Sequence, residues 1–479
     1  MPTDDGAFEQ NLLKHYGDPT ATYDGQGVLK LKDGQELKCR FEAGQLRRGD
    51  VLLLCDFLPP LPYDENISAF RFEGTTSKGY RISCDKRITE INYLPDLSEE
   101  VRTAVFAAYL LEEMSVQMNN TPVQAKTARF GVQNFLFTGT NGQKSGNFYH
   151  RILPLSLKDA SGETVLSIIP VKQYSSIALR VQTLKTIDVT CDAVGDISEE
   201  GSIARLKEVI GDLCCIMSVA RGTKIQWIYC DRYSESGELI MRTHSSRVTK
   251  PYCPLPIIDH RAEGRHETRI FLEQAYSAYV SKRDSYRLDK GTIDAYLDAK
   301  AEQDFLEMRA AKLAVAMEML KMVFLELPDS PAKEYVLKEE QFNKLLGPLG
   351  SAIDQALKDE GIDEKSRTAL CSHGKIKSLN RRSFRYVMDS LCKNIGLEVE
   401  QNDLALFVEC RNKLVHSGQF YCAAATKEER EKCPPLPSKT HEYFFLVNFL
   451  DRIFLKLLGY NGVYIDWHVP GEPTRKEQV

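Results

Sequence analysis

A chain of 479 residues is too long for one compact core, so we expect two or three domains. No apolar run reaches the roughly 18 residues that a membrane helix needs, and the polar, acidic start over residues 1–6 does not resemble a secretory signal. The net charge of −5 argues against a protein that coats nucleic acid constitutively.

Thirteen cysteines without a Cys-x-x-Cys pair indicate thiols that stay reduced, as in the cytoplasm. Cys422, Cys433 and His441 are the nearest approach to a metal site, but their spacing is not that of zinc ligands. We therefore predict a cytoplasmic protein without disulfides, without a bound metal and without a cofactor.

The N-terminal half reads as β structure, because short runs of alternating apolar and polar residues are separated by turn signals. Strands are predicted up to about residue 97 and again over about 128–194, including 177–184. We expect helices to interrupt them at 98–118, where Ser98 is a candidate cap, and at 199–220.

The C-terminal half reads as helical. Pro251, Pro254 and Pro256 mark a boundary, which divides the chain into a β-rich domain over 1–255 and a helical domain over 265–479. Helices are predicted over 267–280, 292–327, 334–346, 350–359, 381–394, 402–416 and 441–458, with a long loop over 419–439. The predicted fold class is α+β: a β-rich, sandwich-like domain with inserted helices, followed by an all-α bundle.

One short motif carries the chemistry of this sequence. Arg411-Asn412 and His416 lie at the end of the helix predicted over 402–416, and Ser417-Gly418 is a typical helix stop. Arg presents a planar fork of donors that suits a phosphate, and His exchanges a proton near neutral pH. At about 100° per residue, Asn412 and His416 share a face, whereas Arg411 points roughly 140° away from His416. The motif is also compatible with ordinary surface residues of a helix.

A carboxylate inside an apolar helical run is the second candidate. Glu318 lies in the run Ala310–Leu325, where a buried charge is costly unless it is paired. Arg411 is one possible partner, which would hold the guanidinium in the cleft. A polar stripe shared with Lys312 and Lys321 is the alternative.

A local basic stripe precedes the motif in this acidic protein. Seven cations stand against one acid, Asp389, between residues 367 and 393. This is the pattern of a selective phosphate-backbone contact, or of a solvated helix face. The residues that we predict to bind RNA are Lys375, Lys377, Arg381, Arg382, Arg385 and Lys413.

The motif resembles the Arg-x4–6-His signature of HEPN domains, matched by Arg411, Asn412 and His416 at the end of an all-helical region. The helical run 296–309 and the β-rich front half are similar to the ApeA-type abortive-infection, anti-phage HEPN family. This resemblance implies a metal-independent endoribonuclease that acts as a dimer, with two motifs composing one cleft. We therefore expect a homodimer or a higher even oligomer.

The resemblance also implies roles for the residues and partners for the chain. Arg411 would steady the phosphate, His416 would act as general base or acid, and Asn412 would orient either of them. Glu318 joins this predicted catalytic set. The substrate would be tRNA or another cellular RNA, and the N-terminal domain would sense a phage-derived trigger.

Two other classes of function remain open at the level of sequence. The helical domain is also compatible with a module that binds RNA or a nucleotide without cutting it. The whole chain is also compatible with a scaffold that binds a protein partner, with Arg411 and His416 on its surface.

Overall fold

The computed structural model describes residues 12–58, 69–91, 106–119, 123–145, 148–197, 202–247, 249–252, 255–261, 264–471 and 473–477. The chain divides into two compact units. The first, the β-rich unit, comprises Met1–Val280 with Gly462–Ile465, and the second, the helical unit, comprises Ser281–Asn461 with Asp466–Val479. The division predicted at 255–265 remains a prediction.

Within the described residues, fifteen strands form one antiparallel sheet, which confirms the β-rich N-terminal half. They are β1 Pro19–Leu31, β2 Glu36–Leu46, β3 Val51–Phe57, β4 Ala69–Thr76, β5 Arg81–Cys84, β6 Ile88–Glu90, β7 Phe106–Leu111, β8 Glu113–Gln117, β9 Thr127–Gln133, β10 Asn141–Ser145, β11 Phe148–Asp159, β12 Gly162–Pro170, β13 Val189–Asp196, β14 Trp227–Tyr233 and β15 Leu239–Ser245. The order across the sheet is β10-β11-β12-β13-β9-β14-β15-β8-β5-β4-β1-β2-β3-β7-β6.

Seven of these strands curl around a common core. In the run β8-β5-β4-β1-β2-β3-β7, the first and last strands are consecutive in the chain and are separated only by Glu112. The two ends of the run therefore meet there, and its buried side chains form one apolar cluster. Phe41 and Phe72 pack edge to face inside it, with ring centroids 5.1 Å apart. Burial of such rings supplies much of the free energy that stabilises a curled sheet.

The described helices begin in the β-rich half and dominate after residue 264. They are α1 Tyr174–Thr183, α2 Ser202–Arg221, α3 Arg265–Lys282, α4 Ile293–Ala299, α5 Leu306–Glu326, α6 Glu339–Asp359, α7 Glu364–Leu370, α8 His373–Ser378, α9 Phe384–Asn394, α10 Gln401–Ser417, α11 Tyr421–Ala424, α12 Lys427–Lys432 and α13 Lys439–Leu457. Short turns of 3-10 helix (Leu12–His15) and π-helix (Leu288–Thr292) and a strand pair, β16 Tyr464–Asp466 with β17 Thr474–Lys476, complete the set. The predicted α+β class is confirmed.

Two predictions for the β-rich half were wrong. The predicted helix over 98–118 is strand wherever it is described, since β7 and β8 cover 106–117 apart from Glu112, while Ser98 lies outside the described residues. Tyr109, Leu111, Met114 and Val116 are all buried, and within each strand they alternate with less buried neighbours, so sheet packing overrides the helical propensity of the Ala- and Leu-rich run.

The predicted strand over 177–184 is instead part of α1. Its alternating pattern also satisfies a helix, because Ile177 and Val181 are four residues apart and share one face. Both pack into a small cluster with Leu136 and Tyr252. A short alternating run of this kind does not distinguish the two periods.

Three boundaries in the helical half also differ from the prediction. The single helix predicted over 292–327 is broken between α4 and α5, although no Gly or Pro marks the break. The helices predicted over 334–346 and 350–359 are one helix, α6, which accommodates Pro348 at an exposed position where water can satisfy the freed carbonyl. The predicted loop over 419–439 contains α11 and α12.

The core of the helical unit brings the middle of α5 close to α10. α5, α9, α10 and α13 pack on one another, and Phe407 of α10 is at their centre. Its ring stacks on Phe449 of α13 with centroids 4.0 Å apart and faces Phe384 of α9 at 6.3 Å. This packing positions the next turns of α10, which carry the motif.

Candidate functional site

The motif lies on α10 as predicted, and the helix ends where Gly418 follows it. Gly418 adopts the left-handed conformation with φ 65°, and its N–H donates to the carbonyl of Leu414 at 3.1 Å. The buried apolar residues Leu404, Phe407 and Leu414 recur with helical spacing. Arg411 stands in the same row, four residues after Phe407 and three before Leu414, so the helix directs this cation towards the bundle.

The guanidinium of Arg411 is held on three sides. Glu318 accepts a hydrogen bond from Nη2, and the side-chain oxygen of Asn412 accepts one from Nη1 at 2.9 Å. The ring of Phe384 lies 4.6 Å from the guanidinium carbon, within the range of a cation–π contact. Only 11% of the Arg411 side chain is exposed, so these contacts restrict it to one orientation.

Glu318 has two cationic partners, so both interpretations of its pairing hold in part. Besides Arg411, it accepts a hydrogen bond from Nζ of Lys321 at 2.5 Å, whereas Lys312 pairs with Asp304 instead. Burial alone would raise the pKa of the Glu318 carboxyl, but the hydrogen bonds from Lys321 and Arg411 outweigh it and hold that pKa below its ordinary value. Two cations therefore share one carboxylate, and the group keeps a net positive charge.

His416 stands apart from the other two motif residues. Its side chain is exposed, and within the described part of the chain it makes no hydrogen bond to Arg411 or Asn412. The reason is the angular separation along the helix, because Arg411 turns into the bundle while His416 faces outwards. One copy of the motif thus offers a fixed cation and a separate imidazole that is open to solvent.

The predicted RNA-binding residues are spread over four elements of the helical unit. Lys375 and Lys377 are exposed on α8, and Arg381 and Arg382 lie in the connection to α9. Arg381 is 3.8 Å from Glu334, Arg382 covers the ring of Tyr386, Arg385 of α9 donates to Gln401 at 3.1 Å, and Lys413 pairs with Glu429 at 2.9 Å.

The basic stripe over residues 367–393 contacts the motif through Phe384. Phe384, in this stripe, is the residue against which the Arg411 guanidinium packs. Sequence reasoning missed Phe384, whose only local signal is its position after Ser383, the residue that caps α9. Lys321 was predicted only as part of a polar stripe with Glu318, and not as a hydrogen-bond donor that shares the carboxylate with Arg411.

The described residues contain no group of three or more His, Cys, Asp or Glu side chains that could hold a metal ion. Cys422 and Cys433 are free thiols, and His441 shares a hydrogen bond with the Ser438 hydroxyl at 2.8 Å. Among the described helices, none is long and apolar enough to cross a membrane.

Comparison of the chain with protein-family models, with curated proteins and with solved structures finds no match. The chemistry of the motif and its surroundings is therefore the basis on which a function is proposed.

Proposed function

We propose that this protein is a metal-independent endoribonuclease of the HEPN type. The observation that carries the proposal is the Arg411 guanidinium, which Glu318 of α5 and Asn412 of α10 hold in place. The same end of α10 exposes His416. A preorganised cation is the device that stabilises charge developing on a phosphate. An exposed imidazole is a suitable proton carrier near neutral pH.

The reaction needs no external nucleophile. The ribose 2′-oxygen attacks the adjacent phosphorus, the bond to the 5′-oxygen breaks, and a 2′,3′-cyclic phosphate forms. One base accepts the 2′-hydroxyl proton and one acid protonates the leaving 5′-oxygen. Arg411 stabilises the negative charge on the phosphate oxygens, and Asn412 positions the guanidinium through their hydrogen bond.

The guanidinium is incompletely satisfied by the protein, which supports a ligand role. Glu318 and Asn412 use only two of its N–H donors, and its Nε is buried without a hydrogen-bond partner among the described residues. Each terminal nitrogen keeps a second N–H that a phosphate oxygen can accept, whereas the buried Nε is out of reach of a ligand.

A homodimer supplies the second proton carrier. A stripe of half-exposed side chains on α5, Met308, Val315 and Met322, repeats every seven residues next to Glu318. Antiparallel pairing of two such helices about Val315 sets Met308 against Met322 of the partner subunit. The same pairing sets Lys312 against Glu318 of the partner subunit, so the surface is complementary to itself in charge.

In such a dimer the two Arg411–Glu318 groups flank one interface. Val415, beside His416 on α10, is a further exposed apolar residue of the helical unit. Two His416 side chains would then serve as base and acid on either side of one scissile phosphate. The role in anti-phage defence and a phage-derived trigger at the β-rich unit rest on the family resemblance alone, and the cytoplasmic location rests on the cysteine usage.

A non-catalytic RNA-binding module is the competing function, because Arg411 is engaged in an ion pair within the protein. The test is a cleavage assay with purified protein and labelled RNA in excess EDTA. We expect cleavage with 2′,3′-cyclic phosphate ends, and a loss of at least about a hundredfold in Arg411→Ala and in His416→Ala.

The double variant should be little worse than either single variant, since both residues act in one transition state. Lys439→Ala, which removes an exposed ion pair with Glu307, is the control and should cut normally. Binding without product by the wild type would favour the module, and full activity of His416→Ala would exclude the proposed mechanism.

A further inference from the structure

The helical unit contains a pocket of about 450 Å³ whose lining does not include Arg411 or His416. It lies between the start of α6, α8 and the connection to α9, and its lining includes Tyr335, Lys377 and Arg381. We infer that this pocket binds one nucleotide unit of single-stranded RNA, with the base on Tyr335 and the phosphate between Lys377 and Arg381. The inference deepens the proposed nuclease function and rests on it for the identity of the polymer.

The walls of the pocket are held in place before any ligand arrives. The segments around Tyr335 and Arg381 form an isolated antiparallel bridge, and the N–H of Val336 donates to the carbonyl of Asn380 at 2.8 Å. The Asn380 amide also bonds both backbone groups of Leu337, at 2.8 and 2.9 Å. A rigid wall reduces the entropy that binding would otherwise cost. The volume falls within the roughly 300–1,000 Å³ that is usual for small-ligand sites.

An aromatic surface in the pocket is available for stacking. Tyr335 is 44% exposed, although it is pinned by its backbone on both sides. Phe342, which also lines the pocket, is nearly buried and packs against Leu346 and Ile376 in a separate small core. An aromatic ring on a fixed backbone, partly open to solvent at the pocket, can serve as a platform for an unpaired base.

The charge of the pocket favours an anion at its α8 side. Lys377 is exposed and makes no ion pair within the described residues. Among the described residues, the Arg381 side chain has only a long, solvent-exposed contact of 3.8 Å with Glu334, which water screens. Both side chains are therefore available to a phosphate at little cost.

The opposite side of the pocket offers groups that can read a base or a ribose. Glu339 and Asn343 are four residues apart on one face of α6 and both line the pocket. A carboxylate accepts hydrogen bonds from a ribose hydroxyl or an exocyclic amine, and an amide both donates and accepts. The pocket has room for one base out of its stack and excludes a duplex, so single-stranded RNA is the form it selects.

The test measures binding of a fluorescein-labelled single-stranded RNA to the full chain carrying His416→Ala, so that cleavage does not obscure binding. Adding Tyr335→Ala should weaken binding about tenfold or more, because one stacked base is lost. Tyr335→Phe should bind like its parent, since it keeps the ring. Lys377→Gln should weaken binding and reduce its dependence on salt.

Matched controls come from α6, which supplies Glu339, Phe342 and Asn343 to the pocket. Leu345 is 43% exposed on α6 and does not line the pocket, so Leu345→Ala should leave affinity unchanged. Lys344→Gln is the charge control for Lys377→Gln. Equal affinities of Tyr335→Ala and Leu345→Ala would overturn the inference. RNA cleavage by His416→Ala at the wild-type rate would instead overturn the nuclease proposal and leave the binding comparison intact, since it can be repeated with 2′-O-methyl RNA.

Competition with free AMP distinguishes the two sources of a nucleotide. Failure of millimolar AMP to displace the RNA assigns the pocket to a unit of a strand, which is the expected result. Displacement by micromolar AMP, lost in Tyr335→Ala, assigns the same pocket to a free nucleotide.

Discussion

Two ionic groups in the helical unit have similar chemistry but very different surroundings. Lys300 and Asp451 are both fully buried, with Nζ and Oδ1 2.7 Å apart, and Tyr296 donates its hydroxyl hydrogen to the same carboxylate. Arg411 and Glu318 are 11% and 29% exposed. Burial of the first group means that no solute reaches it, whereas the second is partly exposed to solvent.

The surroundings also shift the pKa values of the two carboxyl groups in opposite directions. Burial raises the pKa of Asp451 above its ordinary value in spite of Lys300, while Lys321 and Arg411 hold the pKa of Glu318 below its own. A buried pair is costly to break and contributes mainly to fixing one arrangement of the helices. Ion pairing by itself is therefore not a sign of function, and exposure distinguishes the two cases.

The largest effect should come from breaking the buried pair. Asp451→Ala leaves the Lys300 ammonium without a counter-charge in the core, which should destabilise the helical unit by about 3–5 kcal/mol. Hydrogen exchange of the α4 and α13 amides measures this loss directly. Asp389→Ala removes an exposed pair with Lys393 on α9 and should change stability by less than about 0.5 kcal/mol. Similar exchange rates in both variants would contradict the distinction between the two groups.

The next effect concerns the surface beside the exposed group. Val315→Lys sets two like charges against each other at the proposed two-fold axis, and such contacts cost several kcal/mol at an interface. We expect the dimer to dissociate in sedimentation or light scattering, with a parallel loss of RNA cleavage. Val165→Lys, at an exposed valine of β12, is the matched control and should leave the wild-type assembly unchanged.

A wild-type protein that is strictly monomeric and still cuts RNA would refute the composite site. A Val315→Lys variant that remains dimeric but stops cutting would place the interface elsewhere on the helical unit.

The smallest effect should come from the partly exposed carboxylate. Glu318→Gln should cost about 1 kcal/mol of stability at neutral pH, where the ionised form accepts two charged hydrogen bonds. The pKa of Glu318 in the folded protein is below its ordinary value of 4.5. The ionised carboxylate therefore stabilises the fold fully above pH 4.5, and this stabilisation is lost as the pH falls through the pKa of the folded state. The free energies of unfolding of variant and wild type should thus converge in acid. A difference that stays constant down to acid pH would show that the Glu318 charge contributes nothing.

Several features of the site could be predicted from the sequence because their signals are local. The span of α10 follows from its apolar spacing, and its end follows from Ser417-Gly418. The contact between Arg411 and Glu318 was one of two pairings predicted for this carboxylate, since a carboxylate inside an apolar helix needs a nearby cation. The catalytic and RNA-binding roles of these residues remain proposals.

Other features depend on contacts between distant segments. Residues 106–117 are strands because β7 pairs with β3 and β8 pairs with β15. The break between α4 and α5 follows Ala299, next to the buried Lys300 that pairs with Asp451 of α13. Neither these strands nor the helix break has a local signal in the sequence.

The sequence by itself determined the α+β class, the motif helix and the residue types available for chemistry. Only the tertiary structure decided that Phe384 packs on Arg411, that His416 stays separate from it, and that Tyr335 and Lys377 line one pocket. The physical reason is the sequence distance over which each interaction acts, since helix periodicity and capping act within a few residues. Packing and ion pairing join segments that are dozens of residues apart, and which of them meet depends on the burial of the whole core.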